Sequence, residues 1–278
     1  MISSKKTIIV WLVLFIFLLG GCSTSVSSDA NKASDHLDIV MFKIGQADSI
    51  LLRVGNQSVL IDTGEDEDGE EIIDYMKENG IDQIDYLILT HFDKDHVGGA
   101  DTILNEVKIL NVITPNYESD SQDYKEYMAA LEDHQITLKT LTNVFTFNIG
   151  SAEFTIEPPQ KETYSDVNNY SLVISVEHGK NRFLFAGDSE EERLTELLES
   201  GDLEHTFLKV PHHGRYNDKS TEFFTRIKPQ YAVITSSDKN PEEKEVVDAL
   251  TQLGTRIYLT RNGDIFISSD GDSLHVSQ

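Results

Sequence analysis

"LTHFDKDHVGGA", residues 89–100, gathers His91, Asp93, Asp95 and His96 within six positions. It continues the apolar run "IDYLILT" (84–90), which reads as a buried strand. Imidazole nitrogen and carboxylate oxygen are the ligands of borderline divalent metals such as zinc and manganese. Residues two apart in an extended loop project to one side, so His91, Asp93 and Asp95 are expected to face one point. His96 follows where the chain turns at Gly98 and Gly99. One His–Asp pair would be an ordinary polar loop. Four such groups at the mouth of a strand point to a metal site.

Upstream, "LDIVMFKIG" (37–45), "SILLRVG" (49–55) and "QSVLIDTG" (57–64) read as strands bounded by glycine. "DEDGEEIIDYMKENG" (66–80) puts Ile72, Ile73 and Met76 on one helical face and ends at Gly80. Downstream, a short helix is expected over 99–106, a strand over "VKILNVIT" (107–114) and a helix over 121–134. The runs "ITLKTLT", "NVFTFNIG" and "AEFTIEPP" read as successive strands, and "NYSLVISVEHGKNRFLFAGD" (169–188) as two more around a turn. Ser189 and Glu192 have the spacing of a capping box for a helix running to about Ser200. A strand "HTFLKV", the loop "PHHGRYND" (211–218), a helix from Ser220 and a strand "YAVIT" come next. Asn240 and Pro241 are expected at N-cap and N1 of a helix that Gly254 closes. "TRIYLT" and "GDIFISS" finish the chain as strands. With no repeat or linker from Leu37 to Gln278, the pattern implies one α/β domain of two packed sheets covered by helices.

The first residues differ. "MISSKK", the apolar run "TIIVWLVLFIFLL" and "GGC" read as a secretory signal. The apolar run falls short of the ~20 residues that a spanning helix needs. "LGGC" (19–22) resembles the bacterial lipoprotein box, which implies lipid on Cys22. "STSVSSDANKASD" reads as a flexible tether. The expected organisation is a signal over 1–21, a tether over 22–36 and a folded domain over 37–278, outside the membrane. Hydrophobic residues make up 39% of the chain and charged residues 26%, and the net charge is −25. Such a charge repels polyanions, so a nucleic-acid ligand would have to be captured locally.

"THFDKDHVGG" (90–99) resembles the T-H-x-H-x-D-H-x-G-G signature of the metallo-β-lactamase fold, with Asp93 in place of the second histidine. It is closer to the H-x-D-x-D-H pattern of the hydrolase domain of the bacterial competence channel protein ComEC. Other landmarks agree in order: "FKIGQADSILLRVG", "VLIDTG", "NNYSLVI", "FLFAGD" and "LKVPHHG". The resemblance implies a four-layer αββα fold, two mixed sheets flanked by helices, carrying two divalent ions, Zn²⁺ or Mn²⁺. It implies that Asp188 bridges them, that Asp95, His96 and His213 complete one site, and that His91 and Asp93 hold the other. Asp95, Asp188 and His212 are the catalytic residues it implies, His212 touching substrate or assisting proton transfer. Asp62 is expected to orient a ligand histidine; Asp48 does the same or caps a turn. The family's further histidine is missing, and Asn168, Asn169 and Ser171 stand there instead. Asn169 and Ser171 either bond a substrate oxygen or shape a turn. Lys94, Lys209, Arg215 and Lys219 are candidates to hold phosphate oxygens, though each alone reads as a surface charge. His36, His134, His178, His205 and His275 have no motif neighbours.

The function so implied is a metal-dependent phosphodiesterase or nuclease acting outside the membrane, with DNA as a candidate substrate. One rival is hydrolysis of a lactone, a β-lactam or a surface phosphorylcholine ester. Another is a non-catalytic, metal-containing lipoprotein that binds nucleic acid or a surface polymer.

Overall fold

The computed structural model describes residues 36–278. The signal, Cys22 and the tether up to residue 35 lie outside the described residues. The strands are β1 (Leu37–Met41), β2 (Ile50–Val54), β3 (Gln57–Ile61), β4 (Gln83–Ile84), β5 (Tyr86–Ile88), β6 (Lys108–Ile109), β7 (Val112–Pro115), β8 (Leu138–Leu141), β9 (Phe145–Ile149), β10 (Ala152–Glu157), β11 (Val173–His178), β12 (Asn181–Phe185), β13 (Phe207–Lys209), β14 (Tyr231–Ile234), β15 (Arg256–Leu259), β16 (Ile265–Ser269) and β17 (Leu274–Ser277). The helices are α1 (Asp68–Glu78), α2 (Lys94–Val97), α3 (Ala100–Glu106), α4 (Gln122–Asp133), α5 (Glu191–Glu199), α6 (Ser220–Ile227) and α7 (Lys244–Gln252).

One sheet has the order β17-β16-β1-β2-β3-β5-β7-β8 and the other β15-β14-β13-β12-β11-β10-β9, with a small β4-β6 pair beside them. Alternation along each strand sends one set of side chains between the sheets and the other toward helices. Ile39, Met41, Leu52 and Ile61 of the first sheet meet Phe154, Ile174, Phe183 and Phe207 of the second in a shared core. Val40, Leu51, Leu60 and Leu87 face outward onto Ile72, Ile73 and Met76 of α1, Ile103 of α3 and Tyr127 of α4. Leu184, Leu208 and Ala232 do the same onto Leu194, Phe223 and Val246 of α5, α6 and α7. Three apolar layers between four layers of secondary structure make the expected αββα architecture.

Strands β3, β5, β7 and β8 run parallel, as do β12, β13, β14 and β15. Ligand sites form at the carboxyl ends of such strands, and each half of the chain brings its own set of ends.

Several local expectations need correction. The single strand expected over 107–114 is two: Leu110 is exposed between β6 and β7, and its N–H bonds to Ile84 O. Ser189 does not cap α5. Its hydroxyl donates to Ala186 O, and Glu192 accepts from Ser165 instead of closing a box. Asn240 and Pro241 do not open α7; Asn240 forms a turn with Ser237, and the helix begins at Lys244. β17, which closes the edge of the first sheet, was not foreseen, because "SLHVSQ" is short and weakly apolar. Ser121 does cap α4, accepting from Tyr124 N at 3.2 Å.

Candidate metal centre

Four parallel-strand ends deliver the site. β3 leads into Asp62, β5 leads into Thr90 and His91, β12 leads through Gly187 to Asp188, and β13 leads through Pro211 to His213. Between His91 and His96 the chain stays extended only as far as Asp93, after which Lys94–Val97 coils as α2. Asp95 therefore lies with His96 on a helical turn, not on the extended loop expected of it. Gly98 and Gly99 close that turn because the 63–66 segment crosses it. A Cβ on Gly98 would stand 2.6 Å from Asp66 N, and one on Gly99 2.5 Å from Thr63 O. The "PHHG" turn is strained. His212, His213 and Gly214 all have positive φ (45°, 51° and 77°), as does Asp62 (58°). Non-glycine residues hold such conformations only where their surroundings impose them, typically at functional sites.

The imidazoles are fixed from behind. His96 Nδ1 lies 2.9 Å from Asp62 Oδ2. Thr90 Oγ1 donates its one hydrogen to Asp62 Oδ2 at 2.7 Å, so toward His91 Nδ1, 3.1 Å away, it acts as acceptor. Asp62 thus orients His96 directly and His91 through Thr90. His213 Nδ1 lies 3.0 Å from Thr235 Oγ1. With each Nδ1 occupied, the Nε2 atoms of all three point into the site, buried and with no hydrogen-bond partner. His213 Nε2 is 2.9 Å and His96 Nε2 3.3 Å from Asp188 Oδ2, close but not aligned for hydrogen bonding. Asp95 Oδ2 stands 3.4 Å from His213 Nε2. The donor sets His91–His96–Asp188 and Asp95–His96–His213 each gather within 4.8 Å. Buried imidazole nitrogens without partners, converging on carboxylates, are what a divalent ion needs, so the residues present fit the metal that the motif implies.

The charges explain the arrangement. Burial alone would raise Asp188, but His213, His96 and Lys209 hold its carboxyl well below the ordinary range. Burial likewise works against Asp95, and His213 and His96 overcome it. Burial and the neighbouring His96 push His91 well down, toward the neutral imidazole that a metal binds. His96 is held well above its usual value, against burial, by Asp188 and Asp62. His213 is raised to about 9, again against burial, chiefly by Asp188.

The structure sorts the other candidates. Asp93 sits at the mouth, its Oδ2 3.9 Å from His91 Nε2 and its side chain 42% exposed. His212 also stands at the mouth, Nε2 4.0 Å from Asp188 Oδ2. Asp48 is buried behind the site, 3.6 Å from His213 Nδ1 and paired with Lys209. Asn169 and Ser171 serve the framework: Asn169 Oδ1 accepts from Arg193 N, capping α5 in place of Ser189, and Ser171 Oγ accepts from Asp188 N at 3.1 Å. Lys209 is fully buried and cannot reach a substrate phosphate from there. Lys94, Arg215 and Lys219 are surface cations facing Glu65 (2.8 Å), Glu243 (3.6 Å) and Glu222 (3.8 Å). Among the unassigned histidines, His178 and His205 are buried and bonded to serines.

Sequence reasoning missed Thr90, Thr235, Glu190 and Tyr117. Glu190 Oε1 lies 2.8 Å from His212 Nδ1. Tyr117 accepts the N–H of Phe92, between two candidate ligands, and stacks on Tyr170 at 4.2 Å. Thr90 stands inside the motif, beside His91, and its hydroxyl was the available signal. Glu190 stands two residues beyond Asp188, while Thr235 and Tyr117 come from distant segments, and no local pattern marks them.

A model of the metallo-beta-lactamase superfamily matches residues 43–236. The chain belongs to that superfamily. It is 30% identical over 253 residues to ComE operon protein 3 of Bacillus subtilis, covering 82% of this chain and 32% of that protein. It is 30% identical over 247 residues to Recombination protein 2 of Haemophilus influenzae, covering 84% and 29%. The chain thus spans about a third of the length of these relatives. Among solved structures, the metallo-beta-lactamase fold protein YhfI of Bacillus subtilis superposes with a TM-score of 0.59 at 11% identity, over 84% of this chain and 100% of that one. At that identity the likeness is one of fold, and it agrees with the αββα layering.

Proposed function

We propose that the chain is a metal-dependent phosphodiesterase or nuclease, similar to the hydrolase domain of ComEC and attached outside the membrane by lipid on Cys22. The observation that carries this reading is the convergence of the Nε2 atoms of His91, His96 and His213 around Asp188 without hydrogen-bond partners. Asp95, His96, His213 and Asp188 would hold one divalent ion, and His91, Asp93 and Asp188 a second. Zinc or manganese held there would polarise a phosphoryl oxygen and make a bound water acidic at neutral pH. The first set offers two imidazoles and two carboxylates, the second one imidazole and two carboxylates, and the more oxygen-rich set suits manganese better. Asp95, whose Oδ2 stands 3.4 Å from His213 Nε2 at the edge of the set, would take a proton from the attacking water. His212 is a quarter exposed and turned by Glu190, with Nε2 facing the centre, where a leaving oxygen would emerge. The phosphodiester assignment is supported by the H-x-D-x-D-H pattern and by the identity to ComE operon protein 3. No helix among the described residues is long and apolar enough to cross a membrane.

One observation favours the rival reading of a compact surface ester such as phosphorylcholine. The chain carries a net charge of −25, and Lys94, Arg215 and Lys219 near the motifs face carboxylates. A long polyanion would meet repulsion there, whereas a small ester with its own cation would not. The deciding experiment incubates the full chain with Mn²⁺ or Zn²⁺ and linear duplex DNA, single-stranded DNA, bis(p-nitrophenyl) phosphate, p-nitrophenylphosphorylcholine and nitrocefin. Cleavage of DNA and the simple diester supports the proposal. Cleavage of the choline ester alone, also a phosphodiester, supports the compact substrate over DNA; cleavage of nitrocefin alone supports a carbonyl substrate, and cleavage of none leaves the non-catalytic reading.

A further inference from the structure

We infer that Lys209 is a fixed internal cation of the metal centre, holding Asp188 by Oδ1 so that only Oδ2 is offered to the ions. The inference rests on the metal-centre reading above. Lys209 ends β13 among the apolar residues Phe207, Leu208 and Val210, and none of its surface reaches solvent. An ammonium so placed is costly unless its partners surround it. They do: Nζ touches Asp48 Oδ2, lies 3.2 Å from Gly187 O and 3.5 Å from Asp188 Oδ1. The three histidines paired with Asp188 approach its other oxygen. His213, His96 and His212 place Nε2 at 2.9, 3.3 and 4.0 Å from Oδ2. The two oxygens of one carboxylate are therefore divided between a permanent cation behind and the imidazoles in front.

Charge leads to the same conclusion. Asp48, Asp62, Asp93, Asp95 and Asp188 gather in and around the centre, and Lys209 is the one lysine or arginine bonded to any of them among the described residues.

The ordinary alternative is that Lys209 only neutralises Asp48. The paired variant Lys209→Met/Asp48→Asn separates the two roles. It removes one cation and one anion together, so the pocket keeps its net charge and no buried charge is left without a partner. The full chain, stripped of metal, is titrated with Mn²⁺ and followed by calorimetry and electron paramagnetic resonance. The expected result is a paired variant with an intact near-UV spectrum, the weaker of the two Mn²⁺ ions bound about tenfold less tightly, and an altered manganese spectrum. Asp48→Asn alone, which leaves Lys209 on Asp188, is expected to keep both ions. Should the paired variant not fold, Lys209→Gln/Asp48→Asn, which keeps the net charge and a neutral donor at position 209, carries the same expectation. Wild-type affinity and spectrum in the Lys209 variant would overturn the inference, as would an equal loss in Asp48→Asn. A wild-type chain that binds neither Mn²⁺ nor Zn²⁺ would overturn the metal-centre reading, and this inference with it.

Discussion

Asp62 holds Thr90 twice, its Oδ1 accepting the backbone N–H and its Oδ2 the hydroxyl, both at 2.7 Å. That double bond joins the ends of β3 and β5 and aims both His91 and His96. Thr90→Val keeps the shape and the backbone bond but leaves His91 Nδ1 with no partner. Groups of this kind are worth about 10–100-fold in metal affinity. The expected outcome is a loss in that range, measured by chelator competition, with the circular dichroism spectrum unchanged.

Metal binding is expected to release protons. In the metal-free protein His213 is raised to about 9, while a metal takes the deprotonated nitrogen. Affinity should therefore climb with pH up to about 9, and calorimetry at pH 7.5 in buffers of different ionisation enthalpy should show proton release. Stability runs the opposite way. A histidine raised above its unfolded value adds stability that is complete below about 6.5 and lost as pH rises through about 9. Metal-free protein should melt lower at pH 9.5 than at pH 6.5 by more than the His213→Gln variant does.

Gly187→Ala tests how Asp188 is placed. Gly187 has φ 52°, and a Cβ there would lie 2.9 Å from Ser171 Oγ, which holds Asp188 N, and 3.0 Å from Thr90 Cβ. An alanine has to displace one of them. Destabilisation of about 1–3 kcal/mol is expected by denaturant unfolding, together with weaker metal binding.

Asp68 offers a pH test away from the site. Burial, with added repulsion from Glu65, raises it to about 6, although it accepts the N–H of Glu65. A carboxyl raised in the folded state stabilises fully below about 3.8, and that contribution is lost as pH rises through about 6. Asp68→Asn should therefore gain on the wild type between pH 4 and 7, as read from urea midpoints. Asp68 is half buried, so the gain should stay below what a fully buried group with this shift would show.

Fold and site differ in how far the sequence discloses them. Ile72, Ile73 and Met76 announce α1 by spacing alone, and β5 is evident from its apolar run, because burial on one face or two imposes a period. The ends of elements are less visible. The cap of α5 comes from Asn169, far from the helix it serves, and Ser189 is drawn off by Ala186 O. The candidate ligands were readable because their residue types are rare at such spacing. What positions them was not. Lys209 looks like a phosphate-binding surface lysine until β13 is seen to bury it, and Glu190 becomes a partner of His212 only when the "PHHG" turn swings back toward Asp188.

The decisive measurement is a Mn²⁺ titration of the metal-free full chain, counting bound ions while following bis(p-nitrophenyl) phosphate hydrolysis, for the wild type and Asp188→Asn. The account predicts activity that rises with occupancy up to two ions per chain, and a variant that folds but loses about a hundredfold or more in rate. Two bound ions with no phosphodiester cleaved, or an Asp188→Asn variant as active as the wild type, would contradict it.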